Sequence, residues 1–159
     1  MKSMQEIINQ EAVYMNDWTD KFGLISDFDE IHMTKEEYEA TETPYRNVEV
    51  WEARKERMKK AIQKWEDINI LFASYGYANY SGDAWVLYEQ NGRLWEVNGS
   101  HCSCYGLEGQ WAPEIVSLAE LENRLMKGTW GEDNWSDNNF KERLCNFLGI
   151  EYKSNQNGV

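Results

Sequence analysis

An Asn-Gly pair between two apolar runs is the sequence feature that most constrains the fold. Residues 84–89 and 93–97 are rich in aromatic and branched side chains, and Gln90-Asn91-Gly92 separates them. Asn-Gly favours the positive φ angles of a two-residue turn, so this pattern predicts a hairpin of two antiparallel strands. A third apolar run at residues 68–75 is typical of a strand and is predicted to extend the same sheet.

Helical patterns lie on both sides of these runs. Ser3, Thr34 and Ser117 are each followed three residues later by Glu, which is the capping-box signature of a helix start. Residues 45–65 carry a rough apolar stripe opposite Lys and Arg, which predicts a longer helix. A last helix is expected over residues 140–148.

These patterns predict an α+β domain over residues 1–153, with a flexible tail at 154–159. We expect a small antiparallel sheet of about three or four strands, helices before and after it, and a metal-stapled loop after a sheet strand. The acidic segment 17–30 has no clear period and is predicted to be irregular, with room for a short strand.

The charge of the chain restricts its partners. The formal net charge is −12, and residues 6–42 contain eleven Asp or Glu against two Lys. Such a chain repels nucleic acid, so we expect no direct binding to DNA or RNA. It attracts basic proteins instead, although acidity also serves solubility alone.

The composition also bears on location. No stretch has the length of apolar sequence that a membrane helix needs, and residues 1–20 do not resemble a secretory signal. Three cysteines, an odd number, do not form a disulfide framework. We therefore expect a cytoplasmic protein that does not bind membranes and is monomeric.

The stretch 100–111 concentrates the chemically active side chains. His101, Cys102 and Cys104 place three soft donors within four residues, among glycines. Zinc prefers thiolate and imidazole ligands in a tetrahedron, so these residues predict a structural zinc site. The fourth ligand is open: Cys145, Glu108, His32 and a water are the candidates.

Two other interpretations of the same residues remain. Cysteines often pack as small hydrophobic side chains, and a single histidine is often a satisfied core residue. A thiol- or metal-dependent hydrolase is the other alternative, with Cys102 or Cys104 as nucleophile and His101 or His32 as base. The sequence offers no obvious partner for such a base, so we do not expect an enzyme.

Residues 100–111, with the preceding Trp95-Glu96-Val97-Asn98-Gly99, resemble a segment of small phage-encoded proteins. Residues 68–127 carry this resemblance. Within that group the whole chain resembles the type II-A anti-CRISPR proteins, which inhibit the nuclease Cas9. The resemblance implies a phage or prophage product in the host cytoplasm that binds Cas9 directly and blocks target-DNA loading or cleavage. It also implies a zinc-holding member, with His101, Cys102 and Cys104 at the metal positions.

The acidic N-terminal part is the surface that we expect to contact such a partner. Cas9 holds nucleic acid in a positively charged channel, which a carboxylate-rich surface complements. Trp130 and Trp135 are candidate anchors, because tryptophans are frequent interface hot spots, although ordinary loop packing explains them equally well. The predicted contact residues are Asp27, Asp29, Glu30, Glu36, Glu37 and Glu39.

Overall fold

The computed structural model of the chain describes residues 1–133 and 138–154. Its centre is a five-stranded sheet in the order β1-β2-β3-β4-β5. The first pair is parallel and the others are antiparallel. The strands are β1 (Val13–Asn16), β2 (Asn69–Tyr75), β3 (Ser81–Gln90), β4 (Arg93–Cys102) and β5 (Glu114–Val116).

Helices precede and follow the sheet, which confirms the predicted α+β class. The helices are α1 (Met4–Ile8), α2 (Lys21–Phe28), α3 (Lys35–Glu39), α4 (Val48–Lys64), α5 (Leu118–Met126) and α6 (Lys141–Leu148). A small second sheet pairs β6 (Glu132–Asp133) with β7 (Asn138–Asn139). No helix in the described residues is both long and apolar enough to cross a membrane.

The hairpin predicted from Asn-Gly is present. Asn91 and Gly92 have φ angles of 54° and 77°, and Gln90 pairs with Arg93 across the turn. Both strands are longer than the apolar runs suggested, because the ladder continues through polar and glycine residues as far as Ser81 opposite Cys102. Cys102 therefore belongs to the end of a strand.

Three elements differ from the sequence predictions. The strands β1 and β5 were missed, so the sheet has five strands instead of three or four; both are short, at four and three residues. The acidic segment contains α2, where an irregular stretch was predicted. Its cap is Asp20, whose side chain accepts from the N–H of Gly23 without a reciprocal Glu, so a search for capping boxes does not find it.

The sheet separates two hydrophobic clusters, because side chains alternate along a strand. In β3, Val86 lies in the cluster that contains Phe28 of α2 and Met58 of α4, and we call this side face one. The next residue, Leu87, lies in the other cluster, which contains Leu144 and is called face two. Face two is covered by α1, α5 and α6.

Candidate functional site

His101 is a buried, bonded side chain of face one. The residue is 4% exposed, and its Nε2 lies 2.6 Å from the carbonyl oxygen of Gly76. The ring stacks on Tyr75 at 4.2 Å between centroids and lies parallel to Tyr77 at 5.8 Å. Because a carbonyl only accepts, Nε2 carries the proton and Nδ1 is the nitrogen left with a lone pair.

Gly82 makes this arrangement possible. It stands opposite His101 in the β3–β4 ladder. A Cβ at this position would overlap the carbonyl oxygen of Gly76 and come within 2.8 Å of the His101 Nε2. A side chain at residue 82 would therefore displace the histidine from its hydrogen bond.

A backbone hydrogen bond joins the two nearby cysteines at the surface. The backbone N–H of Cys104 donates to the sulfur of Cys102 at 3.3 Å, and the N–H of Cys102 donates to the carbonyl of Tyr105 at 3.0 Å. Cys104 is exposed and Cys102 is partly exposed. The backbone N–H of Cys104, followed by the backbone of Tyr105 and the Cys104 thiol, lowers the pKa of Cys102 below its ordinary value.

The other predicted metal ligands are placed differently. Cys145 is 1% exposed in the cluster of face two, so the sheet stands between it and the cluster that packs against His101, and it does not fit as the fourth ligand. Glu108 accepts from the N–H of Gly106 at 3.1 Å within its own loop. His32 is exposed, in the segment that follows α2.

The zinc site accordingly stays a prediction. His101 and Cys102 are neighbours on a strand, and neighbouring side chains point to opposite faces. Among residues 1–133 and 138–154, no three His, Cys, Asp or Glu side chains are grouped in a way that suits a metal ion. A ligand role for His101 would require Nδ1, with Nε2 still held by Gly76. What the structure shows between Cys102 and Cys104 is the hydrogen bond from the Cys104 backbone N–H to the Cys102 sulfur.

The loop after β4 is organised by Gln110, which sequence reasoning missed. Its side-chain oxygen accepts from the N–H of Ser100 at 2.8 Å, and its nitrogen donates to the carbonyls of Ser100 and Gly106, each at 2.7 Å. One amide thus takes the place of a neighbouring strand. We call this arrangement the clasp. Gln110 lies eight residues beyond the end of β4, and a glutamine at that distance has no sequence signature.

The glycines in and beside this loop have different roles. Gly99 does not make a bend; it lies in β4, where a Cβ would approach Leu107 Cδ2 to 2.8 Å. Gly109 has a φ angle of 74° and is the residue at which the chain turns. Trp111 then inserts against Trp65 at 4.2 Å between ring centroids. The loop therefore packs its apolar residues onto face one and leaves the thiols outside.

Three of the six predicted contact carboxylates are engaged in the fold. Asp27 Oδ2 accepts from the indole N–H of Trp18 at 2.8 Å, and Asp29 Oδ2 accepts from that of Trp65 at 3.1 Å. Glu37 completes the capping box of α3. Burial raises the pKa of Asp27 above its ordinary value, against the hydrogen bond from Trp18, which lowers it.

The other three carboxylates are free. Glu30, Glu36 and Glu39 are exposed, and their side chains form no hydrogen bond or ion pair with any other described residue. Glu36 lies at an open cleft of about 400 Å³ between α2 and α3. The cleft combines carboxylates with aromatic side chains and is lined by Asp17, Asp20, Asp27, Trp18 and Phe22, among others.

The two tryptophans proposed as anchors have separate outcomes. Trp130 packs edge-on against Trp85 at 5.0 Å and against Phe140 at 5.2 Å, and the Arg124 guanidinium lies over its ring. It is therefore a partly buried member of face two. Trp135 lies outside the described residues, as do residues 155–159 of the predicted tail.

Comparisons with protein-family models, with curated proteins and with solved structures gave no match to this chain.

Proposed function

We propose that this chain is a binding protein that inhibits a basic nucleic-acid enzyme, with its acidic N-terminal part as the contact surface. The resemblance to anti-CRISPR proteins makes a type II Cas9 the specific candidate. The observation that supports binding most directly is the set of free, exposed carboxylates on Glu30, Glu36 and Glu39. Carboxylates without an internal partner keep their full attraction for a cationic surface.

The cleft beside Glu36 offers a concave site for a cationic side chain of a partner. Asp17, Asp20 and the half-buried Phe22 line it. A Lys or Arg side chain of a partner would find carboxylate acceptors and aromatic surface there, and both interactions stabilise a bound cation. The chemistry of the surface therefore suits a protein that normally holds nucleic acid.

Competition with DNA is the mechanism that follows from this chemistry. The positive channel of Cas9 binds the phosphate backbone, and an acidic surface docked there would compete for the same cations. Opposite charges mainly accelerate association, and salt screens the effect. Inhibition should consequently weaken as the ionic strength rises.

A charge-reversal pair tests the proposal. Glu30, Glu36 and Glu39 are replaced by Lys in one variant; Glu114, Glu142 and Glu151, exposed residues elsewhere, are replaced by Lys in the control. Both variants change the net charge by the same amount. With Cas9, with and without guide RNA, we expect the first variant to associate about ten-fold more slowly at low salt and the control far less so.

Two results would overturn the proposal. If both triple variants slow association equally, the acidic segment is not the contact surface. If no complex forms at micromolar protein and target cleavage continues, the inhibitor function is wrong.

The structural zinc is a separate part of the proposal. Ligand binding energy would then be folding energy, so Cys102→Ser or Cys104→Ser should lower the melting temperature of protein that contains about one zinc per chain. Elemental analysis of protein purified without added metal gives the zinc content. Metal-free protein with two reactive thiols at these positions would remove zinc from the proposal.

A further inference from the structure

We propose that the turn between β2 and β3 presents Tyr80 as an anchor for an arginine-bearing segment of a partner protein. Two further exposed tyrosines, Tyr77 and Tyr105, lie at the same end of the sheet, and we call the three together the tyrosine surface. The inference goes beyond the proposed inhibitor function, because it concerns a surface other than the acidic segment and does not depend on the identity of the partner.

The turn between β2 and β3 has the same backbone geometry as the Asn-Gly turn of the hairpin. Ala78 and Ser81 exchange two backbone hydrogen bonds, of 2.8 and 3.1 Å. The two residues between them, Asn79 and Tyr80, have φ angles of 52° and 68°, close to the 54° and 77° of Asn91-Gly92. A two-residue turn with positive φ at both positions favours Asn-Gly, so a tyrosine stands where the hairpin has its glycine.

Tyrosine is an unfavourable residue for this backbone conformation. A side chain at positive φ is crowded against the backbone, which costs stability that a glycine in the same place would retain. Packing does not offset this cost, since Tyr80 is 72% exposed and its ring contacts no other aromatic ring or cation among the described residues. Backbone strain of this kind is concentrated where proteins bind ligands, so the exposed ring points to a contact outside the chain.

The other two tyrosines are placed by the ends of β3 and β4. Ser81 pairs with Cys102, the last residue of β4, and the N–H of Cys102 donates to the carbonyl of Tyr105 at 3.0 Å. Tyr77 lies parallel to the buried ring of His101, at 5.8 Å between centroids. Tyr77 and Tyr105 are 49% and 51% exposed. The tyrosine surface therefore stands on strand ends and needs no large rearrangement to present its rings.

The charge around the tyrosine surface favours a cationic partner. The strands and loops that carry it, residues 65–92 and 94–123, contain no Lys or Arg. Asp17, directly after β1, and Asp83 of β3 are exposed near this end of the sheet, and the partly exposed Glu108 lies in the loop that contains the third tyrosine. A guanidinium stacks on tyrosine rings and pairs with carboxylates, whereas a phosphate backbone would be repelled. An arginine side chain therefore fits this surface.

The test compares variants of Tyr80 by stability and by binding. Tyr80→Gly should raise the melting temperature by about 2–4 °C, because it relieves the backbone of the turn. In fluorescence anisotropy at low salt it should lose about five-fold in affinity for a labelled nona-arginine peptide, and less for nona-lysine. Tyr80→Phe keeps the ring face and should bind like the wild type. Tyr152→Gly, which removes an exposed tyrosine from another part of the chain, is the matched control and should also bind like the wild type.

The proposal is wrong if Tyr80→Gly lowers the melting temperature, because the ring then supports the fold, or if it binds nona-arginine as tightly as the wild type. An equal loss of affinity in Tyr152→Gly also contradicts it. Amide chemical shifts of the wild type locate the peptide without any variant: changes at Asn79, Tyr80 and Tyr105 support the surface, and changes confined to residues 30–39 overturn it. Tighter binding of a single-stranded oligonucleotide than of the peptide would replace arginine by stacked bases and overturn it as well.

Discussion

The two faces of the sheet satisfy their carboxylates in different ways: Asp27 and Asp29 on face one are half-buried, and Glu96 on face two is buried. On face one, the carboxylates of Asp27 and Asp29 each accept a hydrogen bond from a tryptophan indole N–H, which is a neutral donor. On face two, Glu96 receives both guanidinium nitrogens of Arg124 at 2.8 Å, and an indole N–H of Trp85 at 3.0 Å. The first face satisfies its carboxylates with neutral donors and the second with charged ones.

This difference has electrostatic consequences. Burial raises the pKa of Asp27, and the single indole does not offset it. Burial also raises the pKa of Glu96, but the hydrogen bonds from Arg124 and Trp85 outweigh it, so the net pKa lies below the ordinary value. The environment of Asp27 on face one therefore disfavours the ionised carboxylate, whereas the environment of Glu96 on face two favours it.

The largest expected effect comes from a buried ion pair on face two. Lys141 and Glu132 lie 3.4 Å apart with side chains 1% and 5% exposed, and Lys141 also donates to the carbonyl of Gly128. Lys141→Met removes the cation that is paired with the buried Glu132 carboxylate, so we expect a loss of about 3–5 kcal/mol in the free energy of unfolding. Urea denaturation measures it. The double variant Lys141→Met/Glu132→Gln should recover most of the loss, and equal stability of the two variants would show that the pair is not coupled.

A smaller loss is expected on face one. Asp29→Ala removes the acceptor of the Trp65 indole, which is 1% exposed and would keep an unsatisfied donor. The cost should be about 1–3 kcal/mol. Asp29→Asn is the matched control because its side-chain oxygen still accepts, and it should retain most of the stability. If Asp29→Asn lowers the free energy of unfolding as much as Asp29→Ala, the negative charge of Asp29, and not its hydrogen bond to Trp65, stabilises the fold.

The clasp beside β4 gives the third effect. Gln110→Ala removes the amide that bonds Ser100 and Gly106, at a place where water can replace part of what is lost. We expect about 1 kcal/mol of destabilisation by thermal or urea unfolding. In hydrogen exchange, Gln110→Ala should speed up exchange of the Ser100 amide relative to the wild type, and by more than it does for amides of β2. If the Ser100 amide of the variant is as protected as that of the wild type, the role of the clasp is contradicted.

The weakest effect is a pair of opposite pH dependences. The pKa of Asp27 is higher in the folded chain than its ordinary value of 3.8, so stability falls as pH rises from 3.8 through the folded pKa. The pKa of Glu96 is lower in the folded chain than its ordinary value of 4.5, so stability falls as pH drops from 4.5 through the folded pKa. Asp27→Asn should remove the first dependence and Glu96→Gln the second. If the free energy of unfolding of both variants depends on pH in the same way as that of the wild type, the contrast between the two faces is contradicted.

The sequence predicts the strands that carry their own signal. Asn91-Gly92 predicts the hairpin because the turn depends on two adjacent residues. The capping boxes at Ser3 and Thr34 predict short helices because they too depend on residues only three positions apart. By contrast, β1 forms a parallel pair with β2, more than fifty residues further along the chain. No local pattern in four residues encodes a partner so distant.

The candidate site was predicted only in part for a similar reason. Cys102 and Cys104 share a hydrogen bond because they are two residues apart in the sequence. The separation of Cys145 from them depends on which face α6 covers, which is decided by packing in the whole chain. The structural use of Asp27 and Asp29 likewise depends on tryptophans that reach them from other segments.

The amide of Gln110 also has a consequence for how copies of this chain meet. Beyond Glu96, β5 no longer pairs with β4, so the remaining part of that strand would offer bare N–H and C=O groups to any other extended chain. At Ser100 both of these groups are taken by one glutamine side chain. Another extended chain therefore cannot pair with β4 at Ser100, which disfavours edge-to-edge association at this part of the sheet.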